Sequence, residues 1–336
     1  MNCWTKRILL AALFLLALPY PSPAPLIYRP GEGWVYEQYG TTSTWMKGRA
    51  KDQYDVAQAA FDKQDYKTAL RAARRVVSQW PLSDFAANAQ YLIGRTYEAR
   101  HKDEQAFEAY QKCIDKYPKL ANHQEILKRQ CEIANRYLAG QWFWKWGVLP
   151  LFSSMDKTVT MYEKIIKSGP YSEVAPQAQM NIGTAREKQK DYPLAVKAYE
   201  RAADRYNDKT AIASDALFKA GLAYEKQAQK AEYDQNAASD AIKTFEDFKT
   251  MFPNDSRCKR ANEIIEVLKL EQARGDFGIA QFYDKRKFYA AAEIYYNEAQ
   301  RRAPNSIYDA QAKKRLEELK KHSTPPASAA EVAPKK

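Results

Sequence analysis

The sequence predicts an all-α protein: a solenoid of about six helix pairs, closed by a C-terminal capping helix. Two observations support this fold class. One spaced pattern of small, aromatic and proline residues occurs six times, and glycine is scarce, at 12 of 336 residues, with no run in which valine or isoleucine alternates with polar residues. Each pair in such a solenoid packs only on its neighbours, so the length does not require separate cores. We therefore expect almost no β-strand.

The clearest copy of the pattern has six positions, which are Gly94, Tyr97, Ala106, Tyr110, Cys113 and Pro118. Counted from the glycine, their offsets are 0, 3, 12, 16, 19 and 24. This spacing is typical of the tetratricopeptide repeat, a helix–turn–helix unit of about 34 residues. Small residues let the two helices cross closely, aromatic residues fill the space toward the next pair, and proline ends the second helix.

The other five copies begin at Ala57, Ala134, Gly183, Gly221 and Ala280. The copies at Ala57, Gly183 and Ala280 keep the same spacing, although asparagine replaces proline in the second of these. The copies at Ala134 and Gly221 carry twelve and eight additional residues between their helices. Six copies in register predict a stacked array whose inner face binds a peptide or protein.

Composition divides the chain into five predicted segments: a signal peptide (1–24), an extended arm (25–47), an N-terminal repeat half (48–171) with an aromatic loop insertion (140–153), a C-terminal repeat half (172–321) and a disordered tail (322–336). An additional helix is expected at about 257–274, ahead of the sixth pair. The terminal helix, about 306–321, carries two leucines among many charges and is expected to cap the array.

The N-terminus has the features of an export signal. Lys6 and Arg7 precede an apolar run from Ile8 to Leu18. As a helix this run is about 16 Å long, too short for the ~30 Å core of a bilayer. The cleavage point is ambiguous, because Pro25 directly follows the small residue Ala24, and an uncleaved interfacial anchor is the alternative. Either way the sequence predicts an exported protein.

The chain carries a formal net charge of +12, spread along the predicted helices. Export argues against nucleic acid as the partner, and most of these charges are expected on solvated helix faces. Cys113 and Cys131 lie on adjacent predicted helices. They are interpreted as buried reduced thiols, with a Cys113–Cys131 disulfide as the alternative in an oxidising compartment.

The sequence offers little for catalysis. Its three histidines, His101, His123 and His322, accompany no serine or cysteine motif, and no phosphate-binding loop or metal-ligand spacing occurs. We therefore expect no enzyme activity, no cofactor and no metal site.

The predicted binding surface is the groove lined by the first helix of each pair. Nine positions are expected to be exposed there: Tyr54, Gln58, Phe61, Tyr91, Arg95, Glu98, Met180, Thr184 and Glu187. Aromatic side chains with mixed charges suit an extended, apolar-rich peptide. Ordinary packing between repeats is the alternative for each of them.

The insertion in the third repeat is rich in aromatic residues. It contains Trp142, Phe143, Trp144 and Trp146 within five positions. Full exposure of so many aromatic side chains is unfavourable, so the loop either folds over the inner face of the array or forms a patch for a partner or a membrane interface.

Two stretches of the sequence resemble one particular family of tetratricopeptide-repeat proteins. The segment 279–296, IAQFYDKRKFYAAAEIYY, resembles the last repeats of BamD, the outer-membrane β-barrel assembly lipoprotein family, and the segment Asp156–Gly183 is similar to distant members. The resemblance implies a periplasmic scaffold that binds the periplasmic domains of the β-barrel insertase and unfolded outer-membrane protein segments. Members carry a lipidated cysteine after the apolar run, whereas this chain has Leu16 to Pro19 there and Cys3 before the run.

The leading interpretation is therefore a non-catalytic scaffold for outer-membrane protein assembly. Another exported repeat adaptor, serving cell-wall synthesis, division or polysaccharide secretion, is the alternative. A protein that binds a membrane peripherally through the tryptophan loop is a further one.

Overall fold

The computed structural model describes residues 26–29, 33–36, 45–118, 122–145, 149–152, 154–230 and 235–323. Thirteen helices lie within these ranges: α1 (Ala50–Asp62), α2 (Tyr66–Gln79), α3 (Asp84–Ala99), α4 (Asp103–Lys116), α5 (His123–Leu138), α6 (Met155–Ser168), α7 (Ala175–Lys188), α8 (Tyr192–Arg205), α9 (Thr210–Lys230), α10 (Gln235–Met251), α11 (Cys258–Lys285), α12 (Tyr289–Arg302) and α13 (Ile307–Ser323). The predicted signal peptide and residues 324–336 of the predicted tail lie outside the described part of the chain.

Consecutive helices form the six predicted pairs, from α1–α2 to α11–α12, and α13 follows the last pair. The all-α repeat fold class is thus confirmed. The chain divides into two compact units, residues 1–133 and 134–336, with the division inside α5. The sequence places the division after residue 171. The observed division lies at the repeat whose two helices are separated along the chain by the twelve-residue insertion.

Close crossings inside the pairs explain the small residues of the pattern. A Cβ atom added to Gly94 would lie 2.4 Å from the ring of Tyr110, and one added to Gly183 would lie 2.3 Å from the ring of Tyr199. These distances are well below van der Waals contact, so the aromatic ring of the second helix occupies the space of a missing side chain. Both tyrosines are fully buried.

Four pairs share the same short turn between their helices. In each turn one residue has a positive φ: Gln64, His101, Lys190 or Lys287, with φ between 54° and 64°. The next residue is the N-cap of the second helix. Asp65 and Asp191 accept a hydrogen bond there from the backbone of Thr68 and Leu194, which satisfies one otherwise unpaired amide.

The predicted additional helix at 257–274 is wrong as a separate element. It continues without interruption into the first helix of the sixth pair, forming the 28-residue helix α11. Gly275 and Gly278 weaken a helix but do not end one, since glycine costs about 1 kcal/mol relative to alanine and keeps its backbone N–H. Packing of Phe277 and Ala280 in the core of the last repeats holds this segment helical.

Two short antiparallel hairpins supplement the helices. The pair β1 (Leu26–Arg29) and β2 (Gly33–Tyr36) lies in the predicted arm, and the pair β3 (Phe143–Lys145) and β4 (Leu149–Phe152) lies in the insertion of the third repeat. At the end of the arm, Trp45 packs against the core of the first repeats, and its carbonyl accepts a hydrogen bond from Gln53 Nε2 at 3.0 Å.

The cysteines within the described residues follow the first of the two interpretations. Cys113 and Cys131 are both buried, and no disulfide joins them. Burial raises the pKa of the Cys113 thiol to about 12, which keeps it protonated. Its Sγ lies 3.6 Å from the carbonyl oxygen of Ala87, in the small-residue position of the repeat.

Candidate functional site

Six of the nine predicted groove residues lie on α1 and α3 of the first unit. Two contacts connect them into one surface. The guanidinium carbon of Arg95 lies 4.9 Å from the ring centre of Phe61, and the Tyr54 hydroxyl donates to Gln58 Oε1 at 3.4 Å. Tyr54, Gln58, Phe61 and Arg95 are all half-buried. The result is a surface of aromatic and polar side chains that are accessible along one edge.

Tyr91 corrects one part of the groove prediction, because it is 9% exposed. Its hydroxyl donates to Glu125 and accepts from Arg129 Nε at 3.1 Å. Burial, together with the Glu125 carboxylate, raises the pKa of Tyr91 to about 12. The same hydrogen bond holds the pKa of Glu125 below its usual value. Tyr91 therefore supports the surface from beneath and does not present a ring to a ligand.

Met180 is a second correction. It is 1% exposed and packs on α8 with Val196 and Tyr199, so it belongs to the core of the fourth repeat. Two neighbours on the same helix, Thr184 and Glu187, are half-buried. The groove prediction is therefore wrong for Met180. Positions four apart on a helix that is covered on two sides need not both face the open side.

Glu98 and Glu187 belong to a motif that recurs in the structure. Four residues after the small residue that begins the pattern, a carboxylate accepts a hydrogen bond from the tyrosine of the second helix. The tyrosine hydroxyl to carboxylate distances are 2.7 Å for Tyr110–Glu98, 2.7 Å for Tyr199–Glu187 and 3.2 Å for Tyr296–Asp284. Burial comes first among the causes that raise the pKa of each of these tyrosines.

Each carboxylate is also bound by a cation from a later helix. Arg129 Nη1 lies 3.3 Å from Glu98, and Lys226 Nζ lies 3.0 Å from Glu187. Arg315 makes two bonds to Asp284, at 2.6 and 2.9 Å. We call each tyrosine–carboxylate–cation set a triad. A triad ties the two helices of one pair to the following helix, and so fixes the stacking of neighbouring repeats.

The fifth repeat lacks a triad. Its carboxylate is Glu225, but phenylalanine, Phe245, stands where the second, third, fourth and sixth repeats have tyrosine. Burial raises the pKa of Glu225 above its usual value, although Arg260 and Lys226 oppose the shift. Glu225 borders an open cavity of about 450 Å³ between α9, α10 and α11, with Ala228, Ala238 and Leu268 among its apolar lining.

The aromatic insertion is partly structural. Phe143 is 3% exposed, its ring stacks on Tyr137 at 4.0 Å, and the Lys157 ammonium lies 4.8 Å from its centre. Trp142 is exposed. Trp144 lies in β3, and Trp146 lies outside the described residues. Of the predicted partner or membrane patch, Trp142 thus remains accessible and Phe143 does not.

Five residues that complete the triads or bind Tyr91 were not predicted from the sequence: Glu125, Arg129, Lys226, Asp284 and Arg315. Asp284 had a visible signal, because an acidic residue occurs four positions after the small residue in three of the four copies that have the tyrosine, whereas the third copy has Leu138 there. No such signal marks the cations, since they come from later helices that begin at variable distances along the chain from the carboxylates.

Within the residues that the structure describes, no helix is long and apolar enough to cross a membrane, and no cluster of histidine, cysteine, aspartate or glutamate has the geometry of a metal site. The phenols and carboxylates of the triads are paired with one another. Because these pairs fix the positions of neighbouring helices, the arrangement suits a rigid binding surface.

The solved structures that match this chain have low identity to it. The C-terminal part of a repeat-containing protein from Cytophaga hutchinsonii is 13% identical, covers 78% of this chain and 87% of its own, and has a TM-score of 0.35. MamA is 16% identical over 62% and 94% with a TM-score of 0.35, and the type IV pilus biogenesis factor PilW is 15% identical over 80% and 98% with a TM-score of 0.26. No curated protein matches the sequence.

Two family models match. The tetratricopeptide repeat model covers residues 88–119, which span most of the second repeat. The YfiO model, described as outer membrane lipoprotein, covers residues 153–332, more than half of the 336-residue chain. The chain therefore belongs to the YfiO family of outer membrane lipoproteins, the BamD-like tetratricopeptide-repeat proteins.

Proposed function

We propose that this protein is a non-catalytic periplasmic scaffold of the machinery that assembles outer-membrane β-barrel proteins. It binds the periplasmic domains of the β-barrel insertase and segments of unfolded outer-membrane proteins. The observation that carries the proposal is the family match over residues 153–332, which includes the last three helix pairs. The resemblance of residues 279–296 to the last BamD repeats supports the same assignment.

The first unit supplies the surface for unfolded segments in this proposal. Tyr54, Phe61 and Arg95 are half-buried there, and Arg95 lies over the Phe61 ring. Rings that are fixed on one side and accessible on the other bind apolar side chains without much loss of conformational freedom. The polar Gln58, beside them, can bond to the backbone of an extended chain.

Affinity purification from envelope extracts tests the function, with a tag after Lys336 and identification by mass spectrometry. We expect recovery of the insertase together with outer-membrane proteins. Recovery of wall-synthesis, division or secretion components without the insertase would overturn the assembly role and leave the repeat fold intact.

Substitution of Tyr54 tests the surface. Tyr54→Ala is expected to weaken binding of an unfolded outer-membrane protein peptide about fivefold to tenfold, since an interfacial aromatic contributes on the order of 1 kcal/mol or more. Titration of a fluorescent peptide measures the change. Tyr171→Ala is the matched control, because Tyr171 is 91% exposed and lies in the other unit. Equal affinity of the wild type and Tyr54→Ala would remove Tyr54 from the site.

A further inference from the structure

The turn between α11 and α12 departs from the homologous turns of the other repeats. In the first and fourth pairs, the residue after the positive-φ position is an aspartate that caps the next helix. In the sixth pair this residue is Phe288, which makes no side-chain cap and is 60% exposed. Lys102 of the second pair also makes no side-chain cap, so the turn of the sixth pair differs in the large apolar side chain that it places in solvent.

An exposed apolar ring at a position where the other three turns have aspartate or lysine points to a function outside the fold. The phenylalanine ring contacts Tyr283, with ring centres 6.4 Å apart. Phe282, which is 48% exposed, lies on another side of the same tyrosine at 5.5 Å. Tyr283 in turn stacks on Tyr295 at 5.6 Å. Two exposed rings are therefore held on a packed base at the end of the helix pair.

Three consecutive cations occupy the same turn. Lys285, Arg286 and Lys287 are all exposed, and the Arg286 guanidinium lies 4.0 Å from the ring centre of Phe282. Asp284 is the one acidic residue between 282 and 292, and Arg315 already binds both of its oxygens. The positive charge of the turn is therefore not neutralised from within it. We call residues 282–289 the aromatic–basic tip.

We propose that the aromatic–basic tip docks on the surface of an anionic phospholipid bilayer. Phe282 and Phe288 enter the interface, while the three cations bind lipid phosphates. Aromatic rings favour the headgroup boundary, and each basic residue near an anionic surface adds to the attraction. Charge complementarity and the paired exposed rings favour a lipid surface over an acidic protein. This inference does not depend on the proposed assembly function.

Vesicle flotation of the full-length chain tests the tip, using phosphatidylcholine vesicles with and without phosphatidylglycerol. The first variant is Phe288→Asn, which removes the ring and supplies a neutral side chain able to cap the helix, at the position where the first and fourth pairs have a capping aspartate. The second is the triple change of Lys285, Arg286 and Lys287 to glutamine. Gln64 and Gln189 occupy two of the corresponding positions in other turns, so glutamine is compatible with this backbone.

Wild type is expected to bind more strongly when phosphatidylglycerol is present. Phe288→Asn should lower the affinity about tenfold, from the loss of one buried phenyl ring, and its melting temperature should stay equal or rise because of the new cap. The triple variant should lose the dependence on phosphatidylglycerol. Leu82→Ser, which removes a side chain that is 93% exposed elsewhere, is the matched control and should bind like wild type.

Other parts of the chain that bind vesicles contribute equally to every variant, so the comparison isolates the tip. Flotation that is independent of phosphatidylglycerol, or equal for wild type and both tip variants, would overturn the proposal. The proposal would also be overturned if the tip variants bound vesicles like wild type but no longer cross-linked to an acidic envelope protein. That result would assign the tip to a protein partner.

Discussion

The fifth and sixth repeats each have a carboxylate four positions after the small residue, but the environments of the two carboxylates shift their pKa values in opposite directions. In the sixth repeat, Asp284 is bound by Arg315 and by the Tyr296 hydroxyl, and its pKa lies below the usual value. In the fifth, Phe245 replaces the tyrosine, Glu225 accepts a hydrogen bond from Gln229 Nε2 at 3.2 Å, and burial raises its pKa. Both repeats keep the small residue and the aromatic ring of the crossing, and they differ in the hydroxyl group and in the cation that bonds the carboxylate.

This comparison separates two roles of the repeat pattern. The small residue and the aromatic ring at offsets 0 and 16 build the crossing in both repeats. The tyrosine hydroxyl and the carboxylate add a hydrogen bond in the sixth repeat, and the helices of the fifth repeat cross without one. The fifth repeat therefore keeps its packing but has a carboxylate whose charge is poorly compensated, next to an open apolar cavity.

The largest effect is expected where the crossing itself is broken. A Cβ on Gly221 would lie 2.7 Å from the Phe245 ring, whereas nothing lies within 4 Å of one on Gly278. Gly221→Leu should cost about 2–3 kcal/mol through overpacking, and Gly278→Leu should gain up to about 1 kcal/mol from helix propensity. Urea unfolding followed by circular dichroism measures both. Similar midpoints for the two variants would contradict the close crossing.

Exchanging phenylalanine and tyrosine between the two repeats should make the carboxylate environment of each repeat resemble that of the other. Phe245→Tyr places a hydroxyl where it can donate to Glu225, and should stabilise the protein by about 1 kcal/mol. Tyr296→Phe removes the bond to Asp284 and should cost about the same. The same unfolding experiment measures both, and the double variant should lie near wild type. A destabilised Phe245→Tyr would show that the fifth crossing has no room for the hydroxyl.

The pH dependence of the two carboxylates should have opposite sign. The raised pKa of Glu225 means that its contribution is favourable at low pH and is lost as pH rises through the folded-state value. The depressed pKa of Asp284 means the reverse, since its contribution is lost as pH falls below about 4.

Glu225→Gln should therefore gain stability relative to wild type as pH rises from about 4 to 7, by a fraction of a kcal/mol because the group is half-buried. Asp284→Asn should be most destabilising at neutral pH and approach wild type in acid. Unfolding midpoints at several pH values test this, and parallel curves for the two variants would contradict the assigned environments.

Much of this comparison could be read from the sequence, and its limits have physical causes. The offsets predict the pairs and the crossings, because both lie within one repeat, and the acidic residues four positions after Gly94, Gly183 and Ala280 stand in the same frame without having been recognised as partners of the tyrosines. The cations could not be predicted, since Arg129, Lys226 and Arg315 follow their carboxylates by 31, 39 and 31 residues. Burial of Met180 and Tyr91 also depends on how the next helix covers each face, which the pattern does not specify.

The smallest effect is expected for Lys226, which connects the two kinds of repeat. Its ammonium lies 3.0 Å from Glu187 of the fourth repeat, and its charge lowers the pKa of Glu225 in the fifth. The side chain is 49% exposed, so Lys226→Met should cost only a few tenths of a kcal/mol at neutral pH.

The pH profile should distinguish this variant from a simple loss of one ion pair. Without the Lys226 charge, the pKa of Glu225 rises further, and the variant loses stability more steeply than wild type as pH increases. Combining Lys226→Met with Glu225→Gln should abolish the additional slope and leave the loss of the Glu187 contact. If the slope persists in the double variant, Lys226 acts through Glu187 alone, and the fourth and fifth repeats are not electrostatically coupled through this lysine.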